Sequence, residues 1–155
     1  MSERVFQFRL YNPTMDHNWV HKSWQTSERE FSHAAYLSPR KLFNAASTKK
    51  IEWLLTHSIT MVSYLEHEPN TLLAFMTYQF VNSWSEDRRY DALVIHYAFT
   101  KSDFRCQQII TDMLKLTNPL NLPIVITGEP NEYIFRKMNN ALYDYAYFTR
   151  SYFVS

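Results

Sequence analysis

The stretch ALVIHYAFT, residues 92–100, restricts the fold more than any other part of the chain. It is almost wholly apolar, which suits a central strand buried on both faces of a sheet. From Cys106 onward the apolar residues fall at Ile109, Ile110, Met113, Leu114 and Leu116, the spacing of one helix face. The prolines of NPLNLP stop that helix. IVIT, residues 124–127, then reads as a short β-branched strand. Strand, helix, strand in this order is a βαβ unit, and it sets the architecture around it.

The rest of the chain supplies the flanks. Val5, Phe6, Phe8 and Leu10 read as a first strand. Thr14 can cap a helix, with Asp16 in its first turn and Trp19, Val20, Ser23 and Trp24 on one face. Ser38 before Pro39 starts another helix. Leu42, Phe43 and Ala46 face one way, and Ile51, Trp53, Leu54 and Leu55 resume after STKK. The expectation is one broken helix or two short ones. TMVSYLE and TLLAFMTYQFV form an antiparallel hairpin around the turn HEPN. NEYIFRKM reads as a short helix, and YDYAYFTRSYFV as one or two closing strands. No linker or repeat interrupts residues 1–155, so a single mixed α/β domain is expected, with antiparallel strands first and helices on the flanks.

Composition limits the function. The net charge is +1, and Lys41, Lys49, Lys50, Arg88 and Arg89 are too few and scattered for a nucleic-acid footprint. Cys106 is the one cysteine, so a disulfide or cysteine metal site is not expected, and a reducing, cytoplasmic setting is. The N-terminal stretch is too short and charged for a signal peptide, and no apolar run has membrane-spanning length. Aromatic residues make up 17% of the chain, which favours a docking surface for a protein partner. Glycine occurs once, at Gly128, although cofactor loops normally use it for close backbone approach.

LVIHYAFTKSDFRCQQIITDMLK resembles the fourth strand, cofactor loop and following helix of GNAT-type N-acetyltransferases. HEPNTLLAFMTYQF resembles the hairpin before it, and IVITGEPNEYIFRKMNN the fifth strand and next helix. The order of elements matches that family over essentially the whole chain. The aromatic-rich texture also resembles GNAT-like proteins of tailed bacteriophages, which implies a location within a virion as the alternative to the cytoplasm.

The resemblance implies an acetyl-CoA site at Phe99, Thr100, Arg105, Gln107, Gln108, Ile109 and Ile110. In the family, loop N–H groups and the helix N-terminus hold the pyrophosphate. Arg105 matches the first position of the family's loop motif, but Gln108 stands where the first glycine belongs and Ile110 where the second small residue belongs. A phosphate oxygen must come within roughly 3 Å of main-chain N–H groups. A glutamine side chain occupies part of that space, and a stiff β-branched isoleucine more of it. The helix dipole alone contributes ~0.3–1 kcal/mol for an anion, against about 8 kcal/mol for micromolar binding. The sequence therefore predicts weak or absent acetyl-CoA binding through this loop. Alternatively, Ile109, Ile110 and Met113 are simply a core face, or Gln108 swings aside and the site works.

Each candidate for chemistry has a plainer reading beside it. His96 is a general base or a buried imidazole with one partner. Tyr133 matches the helix in which the family's tyrosine protonates the departing thiolate; otherwise it packs. His17 and His21, at i and i+4, have metal-binding spacing but no third ligand in view, so no metal is expected. Glu66, His67 and Glu68 read as a solvated turn, as does EDRRYD, residues 86–91. Cys106 is a packing residue or a helix-start thiolate. Trp84, Tyr143, Tyr145, Tyr147 and Tyr152 are the candidate partner-binding residues, and an exposed aromatic strand would favour self-association. Two functions follow: a non-catalytic GNAT-like binding or structural protein without cofactor, or an active acetyl-CoA-dependent N-acetyltransferase.

Overall fold

The computed structural model describes residues 5–31, 39–81, 92–126 and 141–143. The elements run β1 (Phe6–Leu10), α1 (Pro13–Phe31), α2 (Arg40–His57), β2 (Ile59–Leu65), β3 (Glu68–Val81), β4 (Ala92–Thr100), a 3₁₀ turn (Ser102–Gln107), α3 (Ile109–Thr117), β5 (Ile124–Ile126) and β6 (Ala141–Tyr143). The strands form one six-stranded sheet in chain order. β1 to β4 pair antiparallel; β4–β5 and β5–β6 pair parallel. This is the expected mixed sheet, antiparallel first and βαβ after.

Helices cover both faces. On one, Val20 and Trp24 of α1 and Ile51 and Leu54 of α2 bury against Val62, Leu72 and Phe75. On the other, Ile109, Ile110 and Met113 of α3 bury against Leu73, Met76, Leu93 and Ile95. β4 is buried along most of its length because it lies between these layers.

Three local expectations change. Asn12, not Thr14, caps α1: its side-chain oxygen accepts from the N–H groups of Thr14 (2.9 Å) and Met15 (3.3 Å). Pro13 therefore takes the first helical position, where it loses no hydrogen bond. α2 is unbroken through STKK, since Ser47 and Ile51 both face inward while Thr48 and Lys49 point to water. Bonds from α1 also hold that stretch: the Gln25 amide donates to the Asn44 carbonyl (3.0 Å) and Thr48 hydroxyl (3.1 Å), and Lys50 donates to Glu28. The hairpin reverses at Glu66 and His67, so only the first residue of HEPN is in the turn. Leu65 there pairs with Glu68 across the reversal, so β3 already includes Pro69 and Asn70.

The aromatic surplus is partly internal. Near-parallel stacking joins Trp24 to Tyr97 (centroids 4.9 Å, 8° between planes). Phe75 meets Trp19, Trp24, Tyr97 and Phe99 at 5.7–6.1 Å. Among the described residues these rings fill the layer between α1 and the sheet.

Candidate functional site

Among the described residues, β4 and β5 pair from Leu93 to Ile95, against Ile124 to Ile126. β4 continues to Thr100 beside β3 alone among the described residues. Open α/β sheets bind ligands at the carboxyl ends of their parallel strands. Ahead of that end, β4 carries a bulge. Thr77 pairs with Tyr97 but Tyr78 with Ile95, so His96 is the extra residue of β4.

The chain then turns through the 3₁₀ segment into α3. Arg105 Nε donates to the Thr100 carbonyl (3.4 Å), tying this turn to the end of β4. Gln108 has φ 58° and ψ 30°, left-handed, and its side chain does not cap α3. The Asp112 N–H closes the first helical bond onto the Gln108 carbonyl (3.0 Å). The first-turn N–H groups before it lie at the positive end of the helix.

The two bulky loop residues therefore behave differently. Gln108 is exposed and adopts the backbone conformation that glycine favours. Ile110 is 9% exposed and lies in the core with Leu73, Ile95 and Met113. Its bulk points into the sheet, which corrects the expectation that it fills space at the helix start. The helix begins at Ile109 rather than Cys106.

Phe99 and Thr100 lie near the end of β4, half-buried. Phe99 stands against Trp19 (5.8 Å) and Phe75 (5.7 Å). The neighbouring Tyr97 hydroxyl is hydrogen-bonded to Ser27 of α1. Burial raises the Tyr97 pKa, outweighing that bond, so it stays protonated at neutral pH.

His96 is 4% exposed. Its Nε2 donates to Gln79 Oε1 (2.8 Å), which also accepts from Ser58 (3.3 Å). Burial lowers its pKa to about 4, so at neutral pH it is an uncharged imidazole engaged within the sheet. The unfolded chain takes a proton near the ordinary value and the folded one does not. Stability is thus fully present above pH ~6.5 and falls as the pH drops toward about 4. The loss is on the order of 3 kcal/mol. Urea unfolding across this range should show it, and His96→Asn should flatten the acid limb; equal slopes in both proteins would refute the assignment.

Sequence reasoning missed Glu52, which α2 brings to His17 and His21; nothing in the local pattern links residues 35 and 31 positions apart. Glu66, His67 and Glu68 are exposed. Tyr143 ends β6. Trp84, Tyr133, Tyr145, Tyr147, Tyr152 and the NEYIFRKM and EDRRYD segments lie outside the described residues.

Compared with known proteins, the chain matches no family model and no curated protein. Solved structures do match. A possible acetyltransferase from Clostridium difficile 630 is 12% identical, over 90% of this chain and 91% of that one, with a TM-score of 0.57. A predicted acetyltransferase with acetyl-CoA from Clostridium acetobutylicum is 12% identical, over 90% and 80%, with a TM-score of 0.55. The aminoglycoside antibiotic 6'-N-acetyltransferase from Acinetobacter baumannii is 8% identical, over 86% of each chain, with a TM-score of 0.54. The fold is that of the GNAT acetyltransferases. No described helix is long and apolar enough to cross a membrane.

Proposed function

We propose that the chain binds acetyl-CoA at the carboxyl end of β4 and the start of α3, and transfers the acetyl group to an amine. One observation carries this reading: Gln108 takes the left-handed backbone and Ile110 faces the core, so the turn is made without glycine and Ile110 does not fill the space at the start of α3. Arg105 at the same turn is a cation for the anionic donor. Main-chain groups at the carboxyl end of β4 would serve the extended arm of the cofactor, as an added strand would use them. A solved neighbour of the same fold was crystallised with acetyl-CoA.

A second reading has its own support. The Gln108 side chain stands where glycine would leave room, Asp112 puts a negative charge in the first turn of α3, and His96 is engaged inside the sheet. These favour a non-catalytic binding or structural protein, a virion component or a module that docks on a protein partner.

Titration calorimetry with acetyl-CoA separates the two. The first reading expects a micromolar dissociation constant, about 8 kcal/mol. Gln108→Gly should tighten binding further while leaving stability nearly unchanged. Relief of left-handed strain, about 1 kcal/mol, is offset by the greater freedom of glycine in the unfolded chain. No heat with the natural chain sinks the first reading, and binding by Gln108→Gly alone would establish the second.

A further inference from the structure

We infer that the seam between α1 and α2 carries an acid-released clasp, in which the single carboxylate of Glu52 faces the two imidazoles His17 and His21 and cannot balance both when they are charged. His17 and His21 lie one turn apart on α1, their ring centroids 5.6 Å apart. Both face a single carboxylate from α2. His17 Nε2 is 3.0 Å from Glu52 Oε1 and His21 Nε2 is 3.6 Å from the same oxygen.

The two imidazoles are not equivalent. His17 has both ring nitrogens engaged, since Nδ1 meets the Tyr11 hydroxyl at 2.9 Å. His21 Nε2 is buried and has no hydrogen-bond partner, because 3.6 Å exceeds hydrogen-bond length. The charged groups facing His21 are His17 on its own helix and Glu52 on α2. Tyr11 stands behind His17, and Asp16 is already taken up by Arg9. One carboxylate neutralises one imidazolium. A second proton leaves a net positive charge, with like charges on adjacent turns of one helix.

The direction of the effect follows. Burial lowers the His21 pKa; Glu52 opposes this and His17 adds to it. A group depressed in the closed form is protonated more easily once the seam opens. The stabilisation is present above the ordinary imidazole value of ~6.5 and is lost as the pH falls through the closed-form value. The consequence is local. α1 carries Trp19 and Trp24 over Tyr97 and Phe99, so acid release uncovers the aromatic layer beside the end of β4. This clasp is independent of the acetyl-CoA reading.

Hydrogen exchange on the full chain, corrected for intrinsic rates, tests it at pH 7.5 and 5.5. In the natural protein α2 should lose about tenfold more protection than β3 on acidification. His96 lies in the sheet and is unchanged in every variant, so its acid effect is common to all. His21→Gln should keep α2 protected at pH 5.5. Glu52→Gln should move the acid midpoint of α2 to higher pH, and this arm decides the matter if His21→Gln fails to fold. Parallel loss in α2 and β3 in the natural protein, or an unmoved midpoint in Glu52→Gln, overturns the proposal.

Discussion

Replacing Phe75 by alanine is expected to destabilise the protein by about 3–5 kcal/mol, the range for a buried phenylalanine that leaves a cavity. Phe75 is fully buried. It lies among Trp19, Trp24, Tyr97 and Phe99, and large rings on both sides leave little chance of collapse into the space. For a chain of this length the melting temperature should fall by roughly 10 °C, and near-ultraviolet circular dichroism should lose intensity as the stack loosens. Phe80→Ala provides the contrast. Phe80 is 51% exposed, and its truncation should cost less than about 1 kcal/mol. Equal costs at the two positions would mean that the aromatic layer is not the packed core described above.

The second large effect is expected at Arg9. Its guanidinium makes two bonds to Asp16, at 2.6 and 2.8 Å, joining β1 to the first turn of α1. Asp16 is 2% exposed and also accepts the Asn12 N–H (2.8 Å). Arg9→Met removes the cation and leaves a buried carboxylate with one remaining donor. Breaking a fully buried pair costs ~3–5 kcal/mol. Because Arg9 keeps part of its side chain in water, about 2–3 kcal/mol is expected here. Burial alone would raise the Asp16 pKa, but the Arg9 bonds, the Asn12 N–H and the Arg9 charge outweigh it and lower it. The contribution is therefore present above the ordinary carboxylate value of ~3.9 and is lost as the pH falls through the folded value. Urea titrations of the natural chain, Arg9→Met, Asp16→Ala and the double variant would give the coupling. Additive costs would remove the pair from the account.

The parts of the fold that were legible rest on local pattern. β4 was legible because a buried strand must be apolar throughout, and α3 because Ile109, Ile110 and Met113 recur at helical spacing. That same spacing already placed Ile110 inward. The family register placed it at the helix mouth, and in the structure the periodicity prevails. What stayed hidden depends on partners or on backbone angles. The left-handed angle of Gln108 has no sequence signal when the residue is not glycine. The unbroken α2 depends on Gln25 and Glu28 reaching across from α1. Thr14 reads as the cap of α1 in the sequence, but Asn12 takes that place, because Pro13 after it suits the first helical position. The meeting of Glu52 with His17 and His21 is tertiary throughout.

β3 is paired along both edges, with β2 on one side and with β4 from Ala74 to Val81 on the other. Under tension between the chain ends, this antiparallel block should rupture as one event rather than strand by strand.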